Sequence, residues 1–159
     1  MSTERGCSSR HFQGPTADAT ISFVERLVRG TIVADPWSVL VVENDDAVRT
    51  TVVEGLRDSG LLVEAITGAD RISGWRGDVI VTDTFAMPYR TAKVVAYLKD
   101  LRSRYAAGLV VLTGHNGASA DAAHLPADAV VMKPFDLEDL IAVVTAVARE
   151  RHQQNDTKC

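Results

Sequence analysis

Cysteine is scarce, with Cys7 and Cys159 near opposite ends of the 159-residue chain. Neither belongs to a CxxC pair, and no His/Cys cluster has zinc spacing, so a reducing compartment and no structural metal are expected. No apolar run approaches the ~20 residues that span a bilayer. The N-terminus lacks the compact apolar block and small-residue cleavage site of a signal peptide. Positive charge is not in excess: the net charge is −4, which gives no general attraction to nucleic acid or to an anionic membrane. There is no Gly-rich phosphate loop and no Ser/His/Asp arrangement, which argues against a flavin-binding or hydrolytic α/β protein. The expected setting is the cytoplasm.

The length suits one domain, large enough to bury a core without disulfides or metals. From Pro36 onward one rhythm repeats: a short apolar run, a polar turn, then a segment of helical periodicity. The apolar runs are Val39 to Val42, Leu61 to Ile66, Val79 to Val81, Leu109 to Leu112 and Ala129 to Met132. They are nearly continuous in Val, Ile and Leu rather than alternating, as in strands covered on both faces. Between them, Val48, Val52 and Leu56 share a helical face that Gly60 can terminate. Val94, Leu98, Leu101 and Tyr105 form a second stripe. Leu137, Leu140, Ile141 and Val144 form a third, with Asp136 as a natural N-cap. Shorter helices are expected between Gly68 and Trp75 and around Ser119 to His124.

Five βα units in a row predict a five-stranded parallel, doubly wound α/β sheet, commonly ordered 2-1-3-4-5. The domain is expected over residues 36–150. Residues 1–35 form an N-terminal extension, expected to be partly disordered, with a candidate helix at 20–29 carrying Ile21, Val24, Leu27 and Val28. Residues 151–159 read as a polar, frayed tail. His115 and His124 lack a partner pattern and read as surface residues. Trp37 and Trp75 read as packing residues.

Ligand chemistry in such sheets lies beyond the carboxyl ends of the strands, where the winding reverses. The residues there are Glu43, Asn44 and Asp45 after the first strand, Asp83 after the third, Thr113 and Gly114 after the fourth, and Lys133 and Pro134 after the fifth. Each alone has a plainer reading as a turn, cap or surface residue. Together they suit phosphoryl transfer to a carboxylate. An Asp can act as the nucleophile, and the rest of the chemistry is positioning and charge neutralisation. Lys133 and Thr113 can bind phosphoryl oxygens. Glu43 and Asp83 can help hold Mg²⁺, which needs few protein ligands.

Over residues 37–150 the sequence resembles the receiver domains of two-component response regulators, whose fold is flavodoxin-like. Leu40-Val41-Val42-Glu43-Asn44-Asp45 resembles the acidic motif after the first strand. Asp78 to Asp83 resembles the stretch that ends at the phosphorylated aspartate. Val111-Leu112-Thr113-Gly114 resembles the switch threonine with its small neighbour. Met132-Lys133-Pro134-Phe135-Asp136 resembles the lysine–proline turn. The resemblance implies a phosphoprotein rather than an enzyme, limited to self-phosphorylation and self-dephosphorylation. Asp83 would take the phosphoryl group from a histidine kinase or phosphotransfer protein, and the domain would signal to a downstream protein through its surface. It also implies Mg²⁺ on Glu43 and Asp83, with Asn44 and the Phe85 backbone as further candidate ligands, and a cis peptide bond before Pro134. No nucleic-acid or membrane contact is implied, and a homodimer is left open. No output domain follows residue 150, so a stand-alone receiver is expected.

Four departures from the family pattern stand out. Asn44 replaces a metal-binding carboxylate. Pro88 lies five residues after Asp83 rather than four, so counting back from it nominates Thr84, although the spacing from Asp78 favours Asp83. Val130 occupies the position of an aromatic switch residue. The second helix is about one turn short. These departures suit an alternative, a pseudo-receiver that binds proteins independently of phosphate.

Overall fold

In the computed structural model the chain divides into two units, residues 1–35 and 36–159. The structure describes residues 36–68, 72–84, 92–114 and 125–156 of the second. The candidate helices at 20–29 and 119–124, and His115, His124, Phe85 and Pro88, lie outside the described residues.

Five strands form one parallel sheet: β1 (Ser38–Val42), β2 (Leu62–Ile66), β3 (Val79–Asp83), β4 (Gly108–Thr113) and β5 (Ala129–Met132). Their order is β2-β1-β3-β4-β5, as the repeated βα rhythm predicts. Three helices are described: α1 (Asp46–Asp58), α2 (Ala92–Arg104) and α3 (Leu137–Asp156). The central strands β1, β3 and β4 carry the apolar runs because both of their faces are covered. One face, with Val39, Val41, Val79, Val81, Val110 and Leu112, packs with Val52 and Leu56 of α1 and Leu140 and Val144 of α3. The other, with Leu40, Val42, Ile80, Leu109 and Val111, packs with Val94, Leu98 and Leu101 of α2. Trp37 packs on the first layer and Trp75 on the second, as expected of packing residues.

Local chemistry sets the ends of the elements. Asp45 caps α1 by accepting the Val48 N–H at 2.9 Å. At the other end, Gly60 takes φ +86°, a left-handed backbone that favours glycine. The Gly60 N–H reaches the Arg57 carbonyl and the Leu61 N–H reaches the Leu56 carbonyl, closing the Schellman pattern. Asp136 caps α3 by accepting the Glu138 N–H at 3.1 Å. Asp78 joins the start of β3 to β1: its carboxylate accepts the Ser38 N–H at 2.7 Å and its own N–H reaches the Ser38 carbonyl. At the start of β4, a Cβ on Gly108 would collide with Val147, so only glycine lets α3 lie this close to the strand.

Two expectations need correction. The short helix expected between Gly68 and Trp75 is not formed over its described residues Ile72–Trp75, residues 69–71 lying outside the described ones. Gly74 is left-handed at φ +67°, and the Tyr105 hydroxyl donates to the Ile72 carbonyl at 3.1 Å, a carbonyl that a continuing helix would use. The expected tail from Arg151 is instead helical to Asp156. Arg151 anchors this last turn and a half by donating to both oxygens of Asp128, at 3.0 and 3.1 Å.

Asp128 also accepts from Arg102 at 3.0 Å and from the Leu109 N–H at 2.7 Å. One carboxylate therefore joins α2, α3, β4 and the entry to β5. Asp128→Ala is expected to lower stability by about 2–3 kcal/mol, because it removes a charged acceptor and leaves a strand N–H without its partner. A fall in the urea midpoint at an unchanged slope would show it. A change under about 0.5 kcal/mol would reduce the cluster to surface decoration.

Candidate functional site

β1 and β3 are neighbours, yet β2 lies outside β1 and β4 outside β3. The winding reverses between them, and the crevice this leaves opens at their carboxyl ends. Four of the sequence-predicted residues are placed there by their strands. Glu43 follows β1, Asp83 ends β3, Thr113 ends β4, and Lys133 follows β5.

Lys133 joins them. Its ammonium donates to Glu43 Oε2 at 2.6 Å and to Asp83 Oδ1 at 3.1 Å. Its main-chain N–H donates to the Thr113 carbonyl at 2.5 Å, and the Lys133–Pro134 peptide bond is cis. Burial by itself pulls the Lys133 pKa down. The hydrogen bonds and charges of Glu43 and Asp83 outweigh it and hold the ammonium above the ordinary lysine value. Glu43 is only 1% exposed. Its second oxygen, Oε1, accepts the Asp45 N–H at 3.0 Å, and the Arg49 guanidinium donates to its main-chain carbonyl at 2.8 Å. Arg49 also pairs with Asp46.

Thr113 is fully buried, and its hydroxyl has no hydrogen-bond partner among the described residues. A buried hydroxyl left this way costs about 1–3 kcal/mol, and an incoming oxygen ligand would relieve that cost. Among the described residues a Cβ built on Gly114 would meet no atom within 4 Å.

Some sequence-predicted residues sit differently. Asp45, one of the three polar residues after β1, is the cap of α1. Asn44 is exposed and contributes a main-chain carbonyl toward Arg49 at 3.5 Å. Val130 lies half-buried against the apolar layer on the α2 side. Thr84, the residue after β3, is buried, with its N–H on the Leu112 carbonyl of β4.

The residues that sequence reading missed lie behind the strand end. Thr82 is fully buried among apolar residues. Its hydroxyl shares a 2.9 Å hydrogen bond with the Tyr97 hydroxyl of α2 and donates to the Asp83 carbonyl at 3.2 Å. Burial pushes the Tyr97 phenol up to about 12; its hydrogen bond with Thr82 works the other way, and the charges of Asp100 and Asp83 add to the rise. The sequence signal was there: one hydroxyl in an otherwise apolar strand, and a Tyr three residues after Val94 on the same helix.

Glu43, Asp83 and Lys133 sum to a charge of −1. The residues fit Mg²⁺ in a minimal way, because this ion accepts one or two carboxylates and keeps several waters. Among the described residues no group of three or more His, Cys, Asp or Glu side chains is arranged for a metal. Asn44→Asp raises the local negative charge from one to two. Mg²⁺ affinity, measured by titration calorimetry, is expected to rise about tenfold. An affinity within about twofold of the unaltered chain would remove position 44 from the metal site.

The fold and strand-end constellation define the receiver class of α/β domains. No family model matches the chain. It is 31% identical over 137 residues to the sensor kinase CckA of Brucella abortus, covering 80% of this chain and 14% of the relative. It is 27% identical over 113 residues to the DNA-binding transcriptional regulator NtrC of Azospirillum brasilense, covering 67% of this chain and 23% of the relative. The chain thus spans under a quarter of the length of either. A response regulator receiver protein from Burkholderia phymatum superposes with a TM-score of 0.57 at 25% identity, over 71% of this chain and 94% of that one. The domain described here is a receiver domain of the response-regulator family. No described helix is long and apolar enough to cross a membrane.

Proposed function

We propose that the domain is a phosphorylation-activated signalling receiver whose acceptor is Asp83. The observation that carries this reading is Lys133, whose ammonium bridges Glu43 and Asp83 at the switch point of the sheet. An Asp83 carboxylate oxygen attacks the phosphorus of a phosphohistidine on a histidine kinase or phosphotransfer protein. The new O–P bond forms as the N–P bond breaks, and the bond's electron pair stays on the imidazole nitrogen. Lys133 neutralises the charge of the incoming group, and the Thr113 hydroxyl donates to one of its oxygens. Mg²⁺ would be held by Glu43 and Asp83, with Asn44 and the Phe85 backbone as further ligands, and would supply charge neutralisation at the phosphoryl oxygens.

The product carries nearly two added negative charges, enough to bias a pre-existing equilibrium between two surface conformations that a downstream protein reads. The chemistry is confined to the domain's own aspartate, and the setting is cytoplasmic. Asn44 and Val130 favour a second reading, a phosphate-independent protein-binding module on the same fold. Incubation with Mg²⁺ and a small acyl phosphate, followed by mass spectrometry of the borohydride-trapped peptide, separates the two. A modified Asp83 supports the receiver. An unmodified chain, under conditions that label a control receiver, leaves the protein-binding module.

A further inference from the structure

We propose that Tyr97 is a positioning residue for the acceptor carboxylate, acting through Thr82. This rests on the reading of Asp83 as the acceptor. The Tyr97 hydroxyl and the Thr82 hydroxyl are 2.9 Å apart, and Thr82 donates to the Asp83 main-chain carbonyl at 3.2 Å. Either hydroxyl could donate in the 2.9 Å contact; when the Thr82 proton lies on the Asp83 carbonyl, Thr82 Oγ1 accepts from the Tyr97 O–H. The relay crosses from α2 to the last peptide group of β3.

Its placement is informative. Thr82 faces the α2 layer while its neighbours Val81 and Asp83 face the other way, because side chains alternate along a strand. Asp83 is therefore held from both sides of the sheet. Lys133 holds its carboxylate on one side, and Tyr97 holds its backbone on the other. Thr82 is fully buried, and burying a hydroxyl in an apolar layer is unfavourable unless it is hydrogen-bonded. An apolar side chain at position 82 would pack that layer at lower cost, so the hydroxyl pair is best explained by what it holds. The relay also ties β3 to α2.

The test compares Tyr97→Phe, Thr82→Val, Thr82→Ser and the double change Tyr97→Phe/Thr82→Val in the full chain. The first readout is the ¹³Cγ resonance of Asp83 without metal, assigned by its disappearance in Asp83→Asn. The second is the rate of labelling by acetyl phosphate at saturating Mg²⁺. Tyr97→Phe and Thr82→Val are expected to move the resonance alike and to slow labelling about tenfold each. The double change should be no slower than either single one, because one relay is broken once. Thr82→Ser should restore both readouts, while urea unfolding reports any general loss of stability separately. An unmoved resonance in Tyr97→Phe, or a normal rate despite a moved resonance, overturns the inference. A chain that takes no phosphate while the resonance still responds to Tyr97→Phe keeps the positioning relay and removes the acceptor role instead.

Discussion

Asp83→Asn is expected to abolish labelling by acetyl phosphate while leaving the domain folded. Asparagine matches aspartate in shape, and its side-chain oxygen can still accept the hydrogen bond that Lys133 now donates to Asp83 at 3.1 Å. What it loses is the anionic oxygen that attacks phosphorus. The pocket would also pass from a charge of −1 to neutral, with the Lys133–Glu43 contact at 2.6 Å intact. Stability should change by less than about 1 kcal/mol, because the pair that remains is still matched. The loss of label is therefore chemical rather than a consequence of unfolding. Urea denaturation of the same preparation checks the fold, and intact mass checks the label. Label that survives the substitution would move the acceptor elsewhere. Thr84 is the residue that counting back from Pro88 nominates, although its hydroxyl would form a phosphoester that withstands the hydroxylamine that cleaves an acyl phosphate. That difference tells the two outcomes apart.

The sheet was legible because each strand is a short, nearly continuous run of β-branched and aliphatic residues, and burial on both faces leaves no other way to read Val39 to Val42 or Leu109 to Leu112. The site was legible for a related reason. Parallel strands all point the same way, so the residue after each one must lie on the same edge, whatever the loops between them do. Glu43, Asp83, Thr113 and Lys133 follow from that geometry. The short helix expected through Trp75 failed because its pattern was too brief to outweigh one backbone requirement, the left-handed Gly74. The frayed tail failed because polarity was read as a lack of partners. Arg151 has one in Asp128, 23 residues away in the chain, and a contact at that separation leaves no periodic trace. The Tyr97–Thr82 pair escaped for the same reason: hydrogen-bond partners on different elements are set by packing, and neither residue belongs to a motif.

The second large effect concerns Lys133. Its ammonium is held above the ordinary lysine value although burial opposes this, because two carboxylates favour its charged form. The folded state therefore binds this proton more tightly than the unfolded chain. The resulting stabilisation is fully present at neutral pH and is lost only as pH rises past the ordinary lysine range through the raised folded value. Lys133→Met removes it at neutral pH and leaves Glu43, almost fully buried, facing Asp83 with no cation between them. Breaking a fully buried pair costs about 3–5 kcal/mol. Lys133 is partly exposed, so about 2–3 kcal/mol is expected here. Labelling by acetyl phosphate should fall about a hundredfold, since the ammonium that meets the incoming charge is gone. Adding Glu43→Gln to Lys133→Met removes one of the two facing charges and should recover most of the stability but none of the labelling rate. That split is the measurement that matters. Recovery of both would make Lys133 only a clamp for Glu43, and recovery of neither would mean that the two carboxylates do not repel across the pocket.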